Sequence, residues 1–421
     1  MRPAVTIVAL VCAGAAAAAF AQTPTMETLG EVRVHGNHTT PDADVLAIAG
    51  LTVGASVTDA SLEQAADKLR KSGRFAGVDV RKRYRSIDNP QDILVILLVT
   101  EHAAVSDVDL TPGPLKKLGA AGMWLPVIDY ADGYGFTYGA RVSFVDTLGP
   151  RSRISVPLTW GGERKAAVEV DRTFDRGPLT RIEGALSISR RENPHYLVGD
   201  TRREVRARAE RTLTPWLRAG GGVRLTSVRF GDVDERHVSP GVDLILDTRI
   251  DPAYPRNAIH ATTGIERLRF DGGRSVTRWA NDIRGYVGLY RATVLALRFA
   301  TSQPDAALPA YEQALLGGTS MLRGYEFGYR AGDNLAAMSA EVRLPLTSPL
   351  SVGRFGLKAF VDAGTVYPTG QKLSDQTFDR GIGGGVFFTA TVVRAGVDVA
   401  WPQTGPDSRK PRWHFGLGVT F

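Results

Sequence analysis

From about Val105 to Phe421 the chain is built of short alternating segments separated by Gly, Pro and Asp clusters, and this pattern limits the available folds most. In Arg181 to Arg190, Ile182, Leu186 and Ile188 share one face, while Arg181, Glu183, Ser187 and Ser189 share the other. Arg278 to Tyr290 repeats the device, with Trp279, Ile283, Val287 and Leu289 set against Arg278, Asp282 and Arg284. A period of two sends successive side chains to opposite faces of a strand. One apolar and one charged face suit a barrel with lipid outside and water inside. A soluble sandwich alternates too, but it buries its apolar face and seldom sets so many charges opposite. Past residue 21 no segment offers the ~20 apolar residues of a spanning helix, so any membrane crossing is made by strands. Roughly 320 residues, at about 20 per strand and connection, predict about 16 antiparallel strands, an even number as bacterial barrels require.

The two ends of the chain fit export. Met1 to Ala21 has a basic start at Arg2, an apolar run from Val5 to Phe20 and a small-residue site at Ala19 to Ala21, which predicts a cleaved signal peptide over 1–21. Cys12, the single cysteine, falls inside that segment, so the exported chain would depend on its fold rather than on disulfides. The net charge of +7 comes mostly from dispersed Arg, which argues against a nucleic-acid patch and suits a charged lumen or anionic lipid headgroups. At the other end Trp413, Phe415, Leu417, Val419 and Phe421 alternate outward. His414, Gly416, Val419 and Phe421 match the C-terminal targeting pattern of outer-membrane barrels. Gly416 and Gly418 either weaken this last strand or make room for a neighbouring aromatic.

Residues 22–102 read as a separate domain before a barrel over 103–421. Glu31 to His35 alternates as a strand and closes at Gly36-Asn37. Thr40-Pro41 offers a cap and first-turn proline for a helix running to about Ala49 and stopping at Gly50. A second helix, capped by Thr58 or Asp59, places Leu62, Ala65, Ala66 and Leu69 on one face and ends at Gly73. Strands over Phe75 to Tyr84 and Ile93 to Thr100 complete the order strand, helix, helix, strand, strand. That order, with GN after the first strand, SGRFAGVDV at the next and a final LLVTE, resembles a polypeptide-transport-associated (POTRA) domain. The resemblance implies a strand edge offered to an extended client; the alternative is a spacer domain that binds nothing.

Leu315 to Gly328, LLGGTSMLRGYEFG, is short of polar residues for a surface loop, and its Arg needs a partner. Leu322-Arg323-Gly324-Tyr325 resembles the (V/L)RG(F/Y) signature of the BamA/TamA family of outer-membrane insertases and translocases. Further matches follow the family's order. Asp247, Thr248, Arg249 and Asp251, with Pro252 and Pro255, are similar to its DTRD-x-P-x-x-P barrel turn; Glu341 to Pro345 is similar to E-x-R-x-P; and Phe360, Asp362 and Gly364 are similar to F-x-D-x-G. The resemblance implies a loop, around 315–334, folded into the lumen with Arg323 paired to Asp362. Glu341 is a second candidate partner, and Gly317 and Gly318 shape the turn. It also implies a seam between the last strand and a first strand within Leu118 to Val127.

The implied function is insertion or translocation of unfolded outer-membrane or exported proteins, with accessory envelope proteins as further partners and no nucleic acid. Dedicated exporters of this type carry two POTRA domains and a plug helix, whereas about seven residues separate the cleavage site from the first strand here. A specialised or accessory insertase is therefore expected first, a secretion pore for one cognate protein second, and a structural or passive barrel third. No cofactor or enzymatic activity is expected. His35 and His38 lack a third ligand for a metal, and Gly381 to Gly385 opens a strand, which suits a bend or a close backbone approach better than a nucleotide loop.

Overall fold

The structure, a computed structural model, describes residues 26–37, 40–85, 91–101, 122–346, 353–390, 393–405, 408 and 410–419. The expected signal peptide, the 102/103 domain boundary and Phe421 lie outside these residues. The chain forms two compact units.

The larger unit is built on a closed barrel of 16 strands joined by antiparallel ladders, as the alternation and the length count predict. Its first eight strands are β5 (Gly122–Ala131), β6 (Gly135–Val145), β7 (Ser152–Gly161), β8 (Arg164–Thr173), β9 (Arg181–Asn193), β10 (Val198–Thr214), β11 (Leu217–Phe230) and β12 (Val233–Asp247). After β13 (Ala258–Phe270), β14 (Ser275–Gly288) and β15 (Val294–Pro304), a loop carries two short strands, β16 (Ala314–Leu316) and β17 (Arg330–Gly332), which pair with each other outside the barrel ladder. The barrel resumes with β18 (Asn334–Leu346), β19 (Gly353–Tyr367), β20 (Asp379–Ala390), β21 (Val393–Pro402) and β22 (Arg412–Val419). The alternation resolves as expected. Trp160, Leu186, Trp279 and Phe415 are exposed on the outer wall, while His237, Asp362, Asp398 and His414 are buried toward the interior.

The ring closes unevenly. β22 meets β5 through two register pairs among the described residues, Leu417 with Tyr130 and Gly418 with Asp129. By contrast β21 and β22 share eight pairs, and β5 and β6 share ten. The first described barrel strand runs to Ala131, beyond the expected Leu118 to Val127, and β22 is offset along it. A Cβ added at Gly416 would meet nothing within 4 Å, and at Gly418 only Asp129 Oδ1 at 3.6 Å. These glycines therefore do not make room for an aromatic among the described residues, and the thin ladder favours the weak-strand reading.

The N-terminal unit contains β1 (Glu27–His35), α1 (Asp42–Ala49), β2 (Ser56–Val57), α2 (Asp59–Lys71), β3 (Phe75–Tyr84) and β4 (Asp92–Glu101). Two details depart from expectation. β1 starts four residues early, and the two-residue β2, invisible to periodicity, pairs with its first residues. Pro41 occupies the position before α1 and no side chain caps that helix, because the first turn begins only at Asp42. Thr58 caps α2 in a reciprocal box with Ser61. The sheet order is β2-β1-β4-β3, with β1 and β4 parallel. Ile93, Val95, Leu97 and Val99 of β4 pack in one core with Leu29, Val45, Leu62 and Leu69. β3 forms a sheet edge, hydrogen-bonded to β4 on one side.

Lys82 of β3 is buried and bonds Glu27 at 2.7 Å and Asp59 at 2.5 Å, tying β3 to the starts of β1 and α2. Burial alone would lower its pKa, but the hydrogen bonds to Asp59 and Glu27 outweigh it and the net direction is upward. Its contribution is therefore fully present below the ordinary lysine value and lost as pH rises through the higher folded value. Lys82→Met is expected to cost about 1–3 kcal/mol near neutral pH by leaving Glu27 unpaired, and the difference from the parent should shrink in strong alkali. Circular-dichroism melts across pH 7 to about 12 check both statements.

Candidate functional site

Between β15 and β18 the chain turns back onto the inner wall of the barrel. Antiparallel pairing of β16 with β17 brings the limbs of the loop together, and the short helix α3 (Gly318–Met321) follows a turn at Gly317 and Gly318. Gly317 has φ 115°, and a Cβ there would lie 1.9 Å from the Glu326 carbonyl oxygen. Leu316, Leu322 and Tyr325 pack on Leu335 of β18 and Val366 of β19, so the apolar residues that set this loop apart in sequence form its anchor. Gly364 leaves space for Leu316.

This packing delivers Arg323 to a buried acidic cluster. Its Nε and Nη2 donate to the two Asp362 oxygens at 2.7 and 2.8 Å, and its backbone N–H adds a third bond to Asp362 at 3.1 Å. Nη1 donates to Glu341 at 2.5 Å and Asp398 at 3.3 Å, and Nη2 also reaches Ser339 Oγ at 3.3 Å. The guanidinium stands 3.3 Å above the Phe360 ring. All five of its N–H groups are thus engaged, the condition under which a buried guanidinium is tolerated. Burial works against the charged form, but the Asp362 and Glu341 carboxylates prevail and raise the Arg323 pKa. Arg343 pairs with Glu341 at 2.7 Å and Lys358 with Asp398 at 2.8 Å, so three cations face three carboxylates.

Both acidic partners expected for Arg323 are present, and several further residues of the site were not read from sequence. Asp398 is one. His414, read from sequence only as part of the targeting pattern, also joins the site: its Nε2 accepts from the Gly324 N–H at 2.9 Å, and its Nδ1 bonds Asp132, in the β5–β6 turn, at 2.6 Å. Gly324 has φ 97°, and a Cβ there would press on the β21 backbone at Trp401 and Pro402. A Cβ at Gly381 would lie 1.9 Å from the Arg323 carbonyl oxygen, the close approach expected of the GIGGG segment. The Tyr325 hydroxyl meets the Thr404 carbonyl at 2.9 Å.

The other limb has its own anchor, which sequence reading missed. Glu312 accepts from Arg202 of β10 at 3.0 Å and Arg278 of β14 at 3.3 Å, and the Tyr311 hydroxyl bonds Glu235 of β12. Asp333 closes the base, accepting from the Leu308 N–H at 3.0 Å and the Thr369 N–H at 2.9 Å. The loop is therefore held at both limbs. The Asp247 to Asp251 segment lies elsewhere, at the β12–β13 turn as expected. There Thr248 Oγ1 accepts from the Ile259 N–H at 2.8 Å and Asp251 accepts from the Ala253 N–H at 2.9 Å. At the C-terminus His414 faces inward; the Val419 side chain and Phe421 lie outside the description.

The sequence matches the Omp85 superfamily domain over residues 231–421, the part holding this loop and the carboxylate partners of Arg323, and the FtsQ-type POTRA domain over residues 28–86. The chain belongs to the Omp85 family. The Omp85 barrel is similar in fold to BamA from Haemophilus ducreyi lacking POTRA domains 1–3, with 14% identity, TM-score 0.61, and coverage of 94% of this chain and 85% of that one. It is also similar to CdiB from Escherichia coli, with 13% identity, TM-score 0.57, and coverage of 95% and 92%. CdiB from Acinetobacter baumannii follows at 14% identity and TM-score 0.53, covering 94% and 74%. No curated protein matches the sequence. Membership of the Omp85 family and the closed barrel make this an outer-membrane protein.

Asp362→Ala in this Omp85 chain leaves the Arg323 guanidinium beside two carboxylates without its bidentate partner. The expected cost is about 3–5 kcal/mol, the range for stranding a buried charge. Arg323→Lys keeps the charge but cannot reproduce the fork, and is expected to lose part of that stability. The temperature at which the detergent-solubilised barrel loses its compact electrophoretic mobility measures both, and limited proteolysis within 317–328 reports release of the loop.

Proposed function

We propose that the protein inserts or translocates protein clients across the outer membrane by parting the β22–β5 seam, with the Arg323 cluster holding the closed state. The observation that carries this reading is the seam itself. At about 1 kcal/mol net per backbone hydrogen bond, the two pairs among the described residues contribute roughly 2 kcal/mol, against roughly 10 for β5 with β6. Side chains supply the missing connection. His414 on the last strand spans from Asp132, at the end of the first, to the Gly324 N–H of the loop, so loop and seam meet at one imidazole.

The POTRA domain lies on the periplasmic side in this reading, and the β3 edge of its sheet receives an extended client by strand addition. The latch over Leu322 to Tyr325, with Gly317, Gly318, Glu341, Phe360, Asp362 and Gly364, fills part of the lumen, which supports this reading over a passive pore. BamA and CdiB share the fold, and the choice between a specialised insertase and an exporter of one cognate protein turns on the client.

Paired Tyr130→Cys and Leu417→Cys substitutions face each other across the seam. With a photocrosslinking residue at Trp413, the reduced protein is expected to trap a protein client in cells and the oxidised protein to trap none. Equal trapping in both states would remove seam parting from the mechanism. His414→Ala, which cuts the tie between loop and seam, is expected to raise the reduced-state yield.

A further inference from the structure

The arginines of this barrel fall into two populations. Most of those turned inward, such as Arg202, Arg208, Arg278, Arg298 and Arg323, pair with carboxylates, with Arg206 as an exception among the described residues. On the outer wall of β8 to β12 the pattern reverses. Arg190, Arg203 and Arg236 are exposed and have no ion-pair partner among the described residues. Arg190 directly faces Arg164 across the β8–β9 ladder, an arrangement of like charges that costs stability unless an anion lies between or beside them. The outward carboxylates nearby, Glu192 and Asp271, make no ion pair with any of them.

Register places these arginines relative to an apolar surface. Arg203 faces Ser227 and Ser227 faces Arg236, so the two arginines stand two strands apart, about 10 Å at the backbone. Two extended guanidinium groups at that separation can converge on one phosphate. One step toward the barrel middle, the outward row reads Val168, Leu186, Val205, Leu225 and Val238. Arg203, Arg236 and that row line one groove of about 790 Å³. The arginines lie near the 193–198 and 230–233 hairpins, at the barrel end remote from Gly122 and Val419. Outward arginine at mid-bilayer is expensive and near the interface costs little, so this row marks the bilayer boundary.

We propose that this groove binds a lipid carrying an anionic phosphate, its acyl chains over the Leu186 to Val238 row and its phosphate between Arg203 and Arg236, with Arg190 adding charge. The site is separate from the loop and the seam. It would hold one lipid of the leaflet at that end of the barrel in a fixed place.

Native mass spectrometry of the full chain in zwitterionic detergent tests the site with phosphatidic acid and with phosphatidylcholine of the same acyl chains. The expected result is retention of phosphatidic acid about tenfold above phosphatidylcholine, and loss of that preference in Arg203→Gln/Arg236→Gln. Arg229→Gln, whose arginine already pairs with Asp234, should bind as the parent does. Equal retention of the two lipids, unchanged retention in the double variant, or equal loss in Arg229→Gln overturns the proposal. So does complete displacement by equimolar inorganic phosphate, which would assign a phosphate-ion site. If the double variant does not reach the folded barrel, Arg236→Gln alone carries the comparison, with a reduced preference expected and an unchanged one overturning the site.

Discussion

A guanidinium taken out of bulk water is the constraint to which the interior answers. Arg323 can sit beneath the loop only because three strands, β18, β19 and β21, each present a carboxylate at the right height, and because Phe360 covers its face. Each of those strands is thereby fixed in register to the loop as well as to its neighbours. Lys358 and Arg343 keep the surplus acidity from destabilising the cluster, so its electrostatics close locally. A cluster so complete favours one arrangement over near alternatives, the role for which buried ionic groups are best suited.

Much of this was legible in the sequence. Alternation with apolar and charged faces carried the barrel, and length carried the strand count. Arg323 with Asp362 and Glu341 was legible because each lies in a short motif whose order along the chain has meaning. Asp398, Asp132 and Glu312 were not, since a lone carboxylate in a strand, turn or loop has no local signature, and Arg323, His414 and Arg202, to which they bond, lie 75 or more residues away. His414 shows the point most clearly: read as part of a terminal targeting pattern, it also accepts a hydrogen bond from Gly324, and only three-dimensional closure brings those residues together. In the N-terminal unit β2 was missed because two residues carry no period.

The two surfaces of the barrel wall handle charge by opposite rules. Inside, most Arg side chains are interleaved with carboxylates. Outside, apolar residues dominate and the unpaired arginines gather where hydrocarbon gives way to headgroups. The +7 net charge is therefore not spread evenly in its effects. Its consequences fall at the boundary.

The offset between β22 and β5 has a kinetic meaning. Among the described residues Gly122 to Ile128 have no partner on the seam side, which under the proposed function would give an incoming strand a toehold. Such a strand could form its first hydrogen bonds before any existing one broke, then displace β22 stepwise, as in branch migration between nucleic-acid strands. Exchange by that route avoids the full cost of an open edge, because the number of satisfied backbone groups need never fall far below its starting value.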